Sequence, residues 1–136
     1  MLFVDTSVWY AAADSGDRNA LRAKKILMDA EELVTTDHVL VETWFLLRYR
    51  LGRSSAETWW AALRAGVAKI ECVTLGDLHS AWEIGASFAD QDFSLVDRTS
   101  FAVIQRLSIS RAASFDSDFA VVRLGPRRDR ALTILR

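Results

Sequence analysis

Leu2-Phe3-Val4-Asp5-Thr6-Ser7 opens the chain with three apolar residues, an acid and two hydroxyls. A short apolar run bounded by polar residues reads as a strand buried on both faces. Asp, Thr and Ser all cap helices, so a helix is expected to follow at once, running to about Ala13. A buried strand feeding straight into a helix is half of a βαβ unit. The pattern of an apolar run leading into an acid returns at Val39-Leu40-Val41-Glu42, Leu95-Val96-Asp97 and Ala113-Ser114-Phe115-Asp116.

Working outward, Asp14-Ser15-Gly16-Asp17 is a turn, and Leu21, Ile26 and Leu27 with Lys24, Lys25, Glu31 and Glu32 suggest an amphipathic helix over about Asn19 to Ala30. Leu33–Thr35 reads as a second strand. Thr36 or Asp37 caps a helix that Gly52 stops. Ser54-x-x-Glu57 has the form of a capping box, opening a helix to about Ala68. Ile70–Val73 reads as a third strand, Leu75 to Ala89 as helix, and Ser94 to Leu107 as a further helix. Ala112–Phe115 is the fourth strand, Asp118-Phe119-Ala120 a turn or short helix, and Leu132–Leu135 the fifth strand. Strands alternating with helices, each strand a continuous apolar run, imply an α/β fold with a parallel sheet covered on both faces. Ligands of such sheets sit beyond the carboxyl ends of the strands, where Asp5 and Asp116 fall.

Hydrophobic surroundings disfavour an ionised carboxylate. A divalent cation is the cheapest way to keep several of them close and charged. Taken singly, Asp5 reads as a helix cap, Asp97 as the partner of Ser94 in Ser94-x-x-Asp97, and Asp116 or Asp118 as a turn residue. Glu42 lies mid-helix, and its neighbours one turn away are Val39, Phe45 and Leu46. Its environment is the one that most calls for a cation; a buried ion pair with Arg48 or Arg98 is the competing reading. One site explains all five acids, and hard oxygen ligands without a cysteine cluster point to Mg²⁺ or Mn²⁺.

The 136 residues are 51% hydrophobic and 26% charged, enough for one domain with a real core and unlike a disordered chain. The N-terminus has no basic segment before its apolar run, so neither a signal peptide nor a membrane span is expected, and a cytoplasmic location is. The single cysteine, Cys72, excludes an internal disulfide and reads as a small core residue. Net charge is −1; setting aside the five candidate acids, the remaining 13 face 17 basic residues, a balance of +4. The excess is mostly arginine, which suits phosphate. Candidates for contact with nucleic acid are Arg48, Arg50, Arg53, Arg123, Arg127, Arg128 and Arg130, each equally readable as solvated surface. Adjacent Trp59 and Trp60 point about 100° apart on a helix, so one of them is open to a protein interface or to a second part of the core. His38 sits one turn before Glu42; neither it nor His79 is read as catalytic. No glycine-rich phosphate loop and no nucleophile elbow is present.

The stretches Phe3-Val4-Asp5-Thr6-Ser7, His38-Val39-Leu40-Val41-Glu42-Thr43-Trp44, Phe93-Ser94-Leu95-Val96-Asp97-Arg98 and Phe115-Asp116-Ser117-Asp118-Phe119 together resemble the PIN-domain ribonucleases, in particular the VapC toxins of bacterial toxin–antitoxin pairs. The resemblance spans Asp5 to Phe119. It implies one PIN domain over residues 1–136, a PIN-like α/β/α sandwich with a central parallel sheet of about five strands, and an endoribonuclease using one or two Mg²⁺ or Mn²⁺ ions. It implies that Asp5, Glu42, Asp97 and Asp116 form the metal site with Asp118 as a more variable member, and that Thr6, Ser7 and Ser94 support it. It also implies a cognate antitoxin, a homodimer and an RNA substrate, either the sarcin–ricin loop of ribosomal RNA or tRNA. Two other classes compete: a PIN fold used only for binding, and a Mg²⁺-binding receiver-type signalling domain. The second needs a late lysine, and the last lysine here is Lys69. A haloacid-dehalogenase-like phosphatase would need a second Asp at Ser7.

Overall fold

The computed structural model describes residues 1–30 and 32–136; Glu31, counted with the second helix in the sequence reading, lies outside them. The elements follow in the order β1 (Leu2–Val4), α1 (Thr6–Ala13), α2 (Ala20–Asp29), β2 (Leu33–Thr36), α3 (Asp37–Leu51), α4 (Arg53–Arg64), β3 (Lys69–Glu71), α5 (Leu75–Ser87), α6 (Leu95–Arg106), β4 (Arg111–Ala113), α7 (Asp118–Val121) and β5 (Thr133–Leu135). The five strands form one parallel sheet in the order β3-β2-β1-β4-β5. Helices flank it, giving the expected α/β/α sandwich.

Strand order explains burial. β1 is central and its three residues are fully buried, because both faces are covered and both edges are paired. β3 and β5 are the edges and are only partly buried. Cys72, just beyond edge strand β3, is exposed, which corrects its reading as a core residue: an apolar-looking run covers less of its surface when it ends a sheet than when it crosses the middle. The core is built from Phe3, Phe101 and Phe119, with Phe101 and Phe119 edge-to-face at 4.9 Å.

Caps set the helix boundaries. Thr36 caps α3 by accepting from Val39 N, and Gly52 ends it with φ 99°, a left-handed conformation that favours glycine. The expected Ser54–Glu57 box does not form. Gly52 turns the chain so abruptly that α4 starts at Arg53 with no side-chain cap, and the helix ends at Arg64 rather than near Ala68. The box that does form is Thr74–Asp77, opening α5. Asp77 also receives two bonds from Arg106, at 2.9 and 3.1 Å, fastening α5 to α6. No helix among the described residues is long and apolar enough to cross a membrane.

The chain runs outward from β1 through β2 to β3, then returns to β4 on the other side of β1. The connection reverses between β1 and β4, and crevices in open parallel sheets form at such a reversal, beyond the strands' carboxyl ends.

Candidate active site

Asp5 leaves the end of β1 and Ser114-Phe115-Asp116 leaves the end of β4, so the reversal point brings both segments together. Asp5 is the N-cap of α1 and almost completely buried. Its Oδ2 accepts from Ser7 Oγ at 2.8 Å and from Ser114 Oγ at 2.9 Å. Both hydroxyls are used twice: Ser7 Oγ accepts from Phe115 N at 2.9 Å and Ser114 Oγ from Asp116 N at 3.0 Å. Two serines thus stitch the end of β1 to the end of β4. With Oδ2 engaged by both serines, Oδ1 is the oxygen of Asp5 left for another partner.

Asp97 arrives in the first turn of α6, whose cap Ser94 accepts from Asp97 N at 3.0 Å. Asp116 Oδ1 accepts from Asp118 N at 2.9 Å, turning the chain so that both acids face the same way. Asp97, Asp116 and Asp118 each place a carboxylate oxygen within 4.8 Å of the others. Together with Asp5, Thr6, Ser7, Glu42 and Ser94 they line a cleft of about 360 Å³.

The electrostatics show what this proximity costs. The Asp97 carboxyl is pushed up to about 7, first by burial and then by the charges of Asp5, Asp116 and Asp118. Burial raises Asp5, against the pull of its serine hydrogen bonds. Asp118 is raised by burial and then by Asp116. Crowded carboxyls of this kind are where a divalent cation gains most, because it replaces mutual repulsion with attraction. A second sign is Thr6 Oγ1, which is buried without a hydrogen-bond partner among the described residues while its residue lines the cleft. Buried hydroxyls are rarely left so, and the water shell of a cation would satisfy it. The all-oxygen donor set fits Mg²⁺ or Mn²⁺.

Glu42 joins the cleft wall, but its surroundings differ from the expectation. It is half-buried, its neighbour Phe45 is 61% exposed and Val41 52% exposed, and it makes no ion pair among the described residues. Of the apolar neighbours seen in the sequence, Val39 is buried, Leu46 is half-buried on the cleft wall and Phe45 turns outward, so Glu42 is only partly enclosed. Arg98, one of the two arginines that the competing reading paired with Glu42, donates to Phe93 O. His38 spends Nδ1 on Thr99 Oγ1 at 3.2 Å, joining the start of α3 to α6.

The arginines divide into two groups. Arg48, Arg50 and Arg53 are exposed around the α3–α4 corner, with Arg50 seated over the Tyr10 ring at 5.1 Å. The tail arginines go elsewhere: Arg128 bonds Gln105 Oε1 in the last turn of α6, about 12 Å along the axis from Asp97 at 1.5 Å per residue. Arg127 is exposed beside it, and Arg123 turns back on the carbonyls that end α7. Two residues of the site, buried Ser114 beneath the cleft and Asp92 on its wall, escaped the sequence reading. Ser114 looked like part of a strand, and its i, i+2 spacing from Asp116 was the available signal. Asp92 lines the cleft mouth, and Asp90-Gln91-Asp92 just before Phe93-Ser94 marks it. Trp59 packs in the core, edge-on to Trp9 at 6.0 Å, while Trp60 borders an apolar recess with Leu40, Val41, Trp44 and Phe45.

Comparison with known proteins agrees with this geometry. The PIN domain family profile matches residues 2–124. The chain is 39% identical over 121 residues to the 23S rRNA-specific endonuclease VapC20 of Mycobacterium tuberculosis, covering 88% of this chain and 92% of that one. The crystal structure of M. tuberculosis VapC20, described as a sarcin–ricin loop cleaving toxin, superposes with a TM-score of 0.85 at 37% identity over 89% of this chain and 94% of the other. FitAcB from Neisseria gonorrhoeae shares the fold at a TM-score of 0.66 and 14% identity, covering 86% of this chain and 88% of that one. The chain belongs to the PIN-domain family, and within it to the VapC proteins.

Proposed function

We propose that this protein is a Mg²⁺- or Mn²⁺-dependent endoribonuclease toxin that cuts the sarcin–ricin loop of large-subunit ribosomal RNA. The observation that carries the reading is the meeting of Asp97, Asp116 and Asp118 within 4.8 Å in a chain 39% identical to a 23S rRNA-specific endonuclease. Asp5, Asp97, Asp116 and Asp118 are the residues that would hold the first ion, and Glu42, which lines the same cleft, would share a second. A bound ion supplies charge neutralisation on the phosphate and an acidified water.

The chain's own residues do the rest. Ser7 and Ser114 hold Asp5 in one orientation, so its carboxylate would meet the ion without reorganising. The α6 N-terminus, capped by Ser94, favours the ionised form of Asp97. Exposed Arg48, Arg50 and Arg53 at the α3–α4 corner offer guanidinium groups to the RNA backbone. Attack by water in line with the leaving oxygen yields 5′-phosphate and 3′-hydroxyl ends.

On this reading the protein acts in the cytoplasm, where its RNA is. A toxin of this kind needs an antitoxin that holds it inactive, and a second copy of the chain is the other expected partner; the apolar recess bordered by Trp60 supports a protein partner of one kind or the other. The test is to incubate purified, partner-free protein with ribosomes and total RNA in Mg²⁺ or Mn²⁺ and to sequence the new ends. A single cut in the sarcin–ricin loop that EDTA abolishes is expected. Cleavage that survives EDTA, or products with 2′,3′-cyclic phosphates, would sink the metal mechanism.

A further inference from the structure

A second pocket, about 300 Å³, adjoins the acid cleft and shares two wall residues with it, Ser7 and Leu46. Its wall joins residues from distant parts of the chain: Tyr10 of α1, Arg18 in the α1–α2 turn, Arg50 of α3, and Phe115 after β4. The composition is that of a nucleotide site, with cations for phosphate and aromatic surface for a base. Arg50 is held in place by its seat on Tyr10 at 5.1 Å. Neither Arg18 nor Arg50 lies within ion-pair distance of a carboxylate among the described residues. The acid of the wall, Asp17, already accepts from Asn19 N at 2.8 Å. Phe115 is half-buried, so part of its ring stays accessible.

Register ties this pocket to the cleft. Phe115 N donates to Ser7 Oγ at 2.9 Å, and the same oxygen donates to Asp5 Oδ2. A base resting on Phe115 is therefore indexed to Asp5 through one hydroxyl, and Asp116 follows Phe115 directly.

We propose that this pocket is a subsite for the RNA nucleotide adjoining the bond to be cut, with Phe115 stacking its base and Arg50 and Arg18 holding its phosphate. The proposal rests on the ribonuclease reading above. It makes the pocket a determinant of which nucleotide flanks the cut.

The cut is first mapped with the wild-type protein on 23S rRNA. A synthetic RNA spanning it is then prepared, with two derivatives that each lack the base of one flanking nucleotide. The wild type, Phe115→Leu and Arg50→Gln are compared on all three. Phe115→Leu is expected to lower kcat/KM about tenfold or more on the intact RNA, and to match the wild type on one of the two base-less RNAs. Arg50→Gln is expected to weaken binding and flatten its salt dependence by about one phosphate contact. An equal Phe115→Leu loss on all three RNAs, or no loss on any, overturns the subsite. A wild type that cuts no RNA defeats the ribonuclease reading instead. The subsite is then decided by equilibrium binding, in EDTA, of an RNA spanning the sarcin–ricin loop and its derivatives each lacking one base, by the wild type and Phe115→Leu: a Phe115→Leu loss that vanishes on one derivative is expected, and its absence overturns the subsite.

Discussion

Ser114 Oγ donates to Asp5 Oδ2 at 2.9 Å across 109 residues of sequence. Both groups are buried, and the same oxygen accepts from Asp116 N. One hydroxyl therefore sets the spacing of two acids beyond the ends of neighbouring strands. Ser114→Ala leaves Asp116 N without its acceptor and Asp5 with one donor fewer. The variant is expected to lose about 1–2 kcal/mol of stability and about 10- to 100-fold in Mn²⁺ affinity, read by denaturant melts and calorimetric titration. Unchanged Mn²⁺ affinity would show that Asp5 needs no such support.

Asp97 carries a heavy electrostatic burden in the cleft, so activity and stability should move in opposite directions when it is changed. Asp97→Asn keeps the shape and removes the charge. Without metal at about pH 8 it should be more stable than the wild type by about 1 kcal/mol or more. Its RNA cleavage should fall by about 1,000-fold, the loss of several kcal/mol of transition-state stabilisation. Parallel chemical denaturation and single-turnover cleavage test both halves.

The pH dependence has a definite sign. The folded Asp97 carboxyl titrates at about 7, above the ordinary 3.8. The folded state holds its proton longer than the unfolded state. The stability this contributes is fully present below about pH 4 and is lost as pH rises through about 7. In EDTA the melting temperature should fall across that window, and Asp97→Asn should flatten the fall. Because cations and protons compete for the same oxygens, Mn²⁺ should raise the melting temperature more at about pH 8 than at about pH 5. An equal rise at both values would show that these carboxylates do not hold the ion.

Asp77 behaves in the opposite way. Burial raises its carboxyl, but hydrogen bonds from Arg106 and Thr74 outweigh that and hold it below the ordinary value. Its contribution is present above about pH 4 and fades as pH falls through the lowered value. The Arg106 side chain is 38% exposed, so the pair is partly screened. Asp77→Asn should cost about 2 kcal/mol near neutral pH. Cleavage per folded molecule should be unchanged, since Arg106 anchors Asp77 at the end of α6 remote from Asp97.

Cys72 is exposed beyond an edge strand. Cys72→Ser should change stability by less than about 0.5 kcal/mol. Alkylation of the native protein should proceed without prior unfolding, as mass spectrometry would show. A protected thiol would place the residue under a partner surface or in the core.

The alternation of elements was legible in short-range features alone. Leu2-Phe3-Val4 is a buried strand in any parallel sheet, and Thr36, Gly52 and Ser94 mark helix ends through bonds reaching only a few residues. The convergence of Asp5, Asp97 and Asp116 followed from where strands end and helices begin. Other features were decided by contacts that no local window contains. Whether Ile70 and Cys72 belong to a central or an edge strand depends on strand order. Whether Val41 and Phe45 bury Glu42 depends on what packs against α3. That Ser114 serves Asp5, and that Phe115 and Arg50 share a pocket, depends on chain segments tens of residues apart meeting at the β1–β4 reversal. Sequence by itself determined the elements and the identities of the acids, because caps, apolar runs and carboxylate chemistry are local properties. Only the tertiary structure decided which acids burial perturbs and which surfaces stay open, because burial is a property of all the neighbours at once.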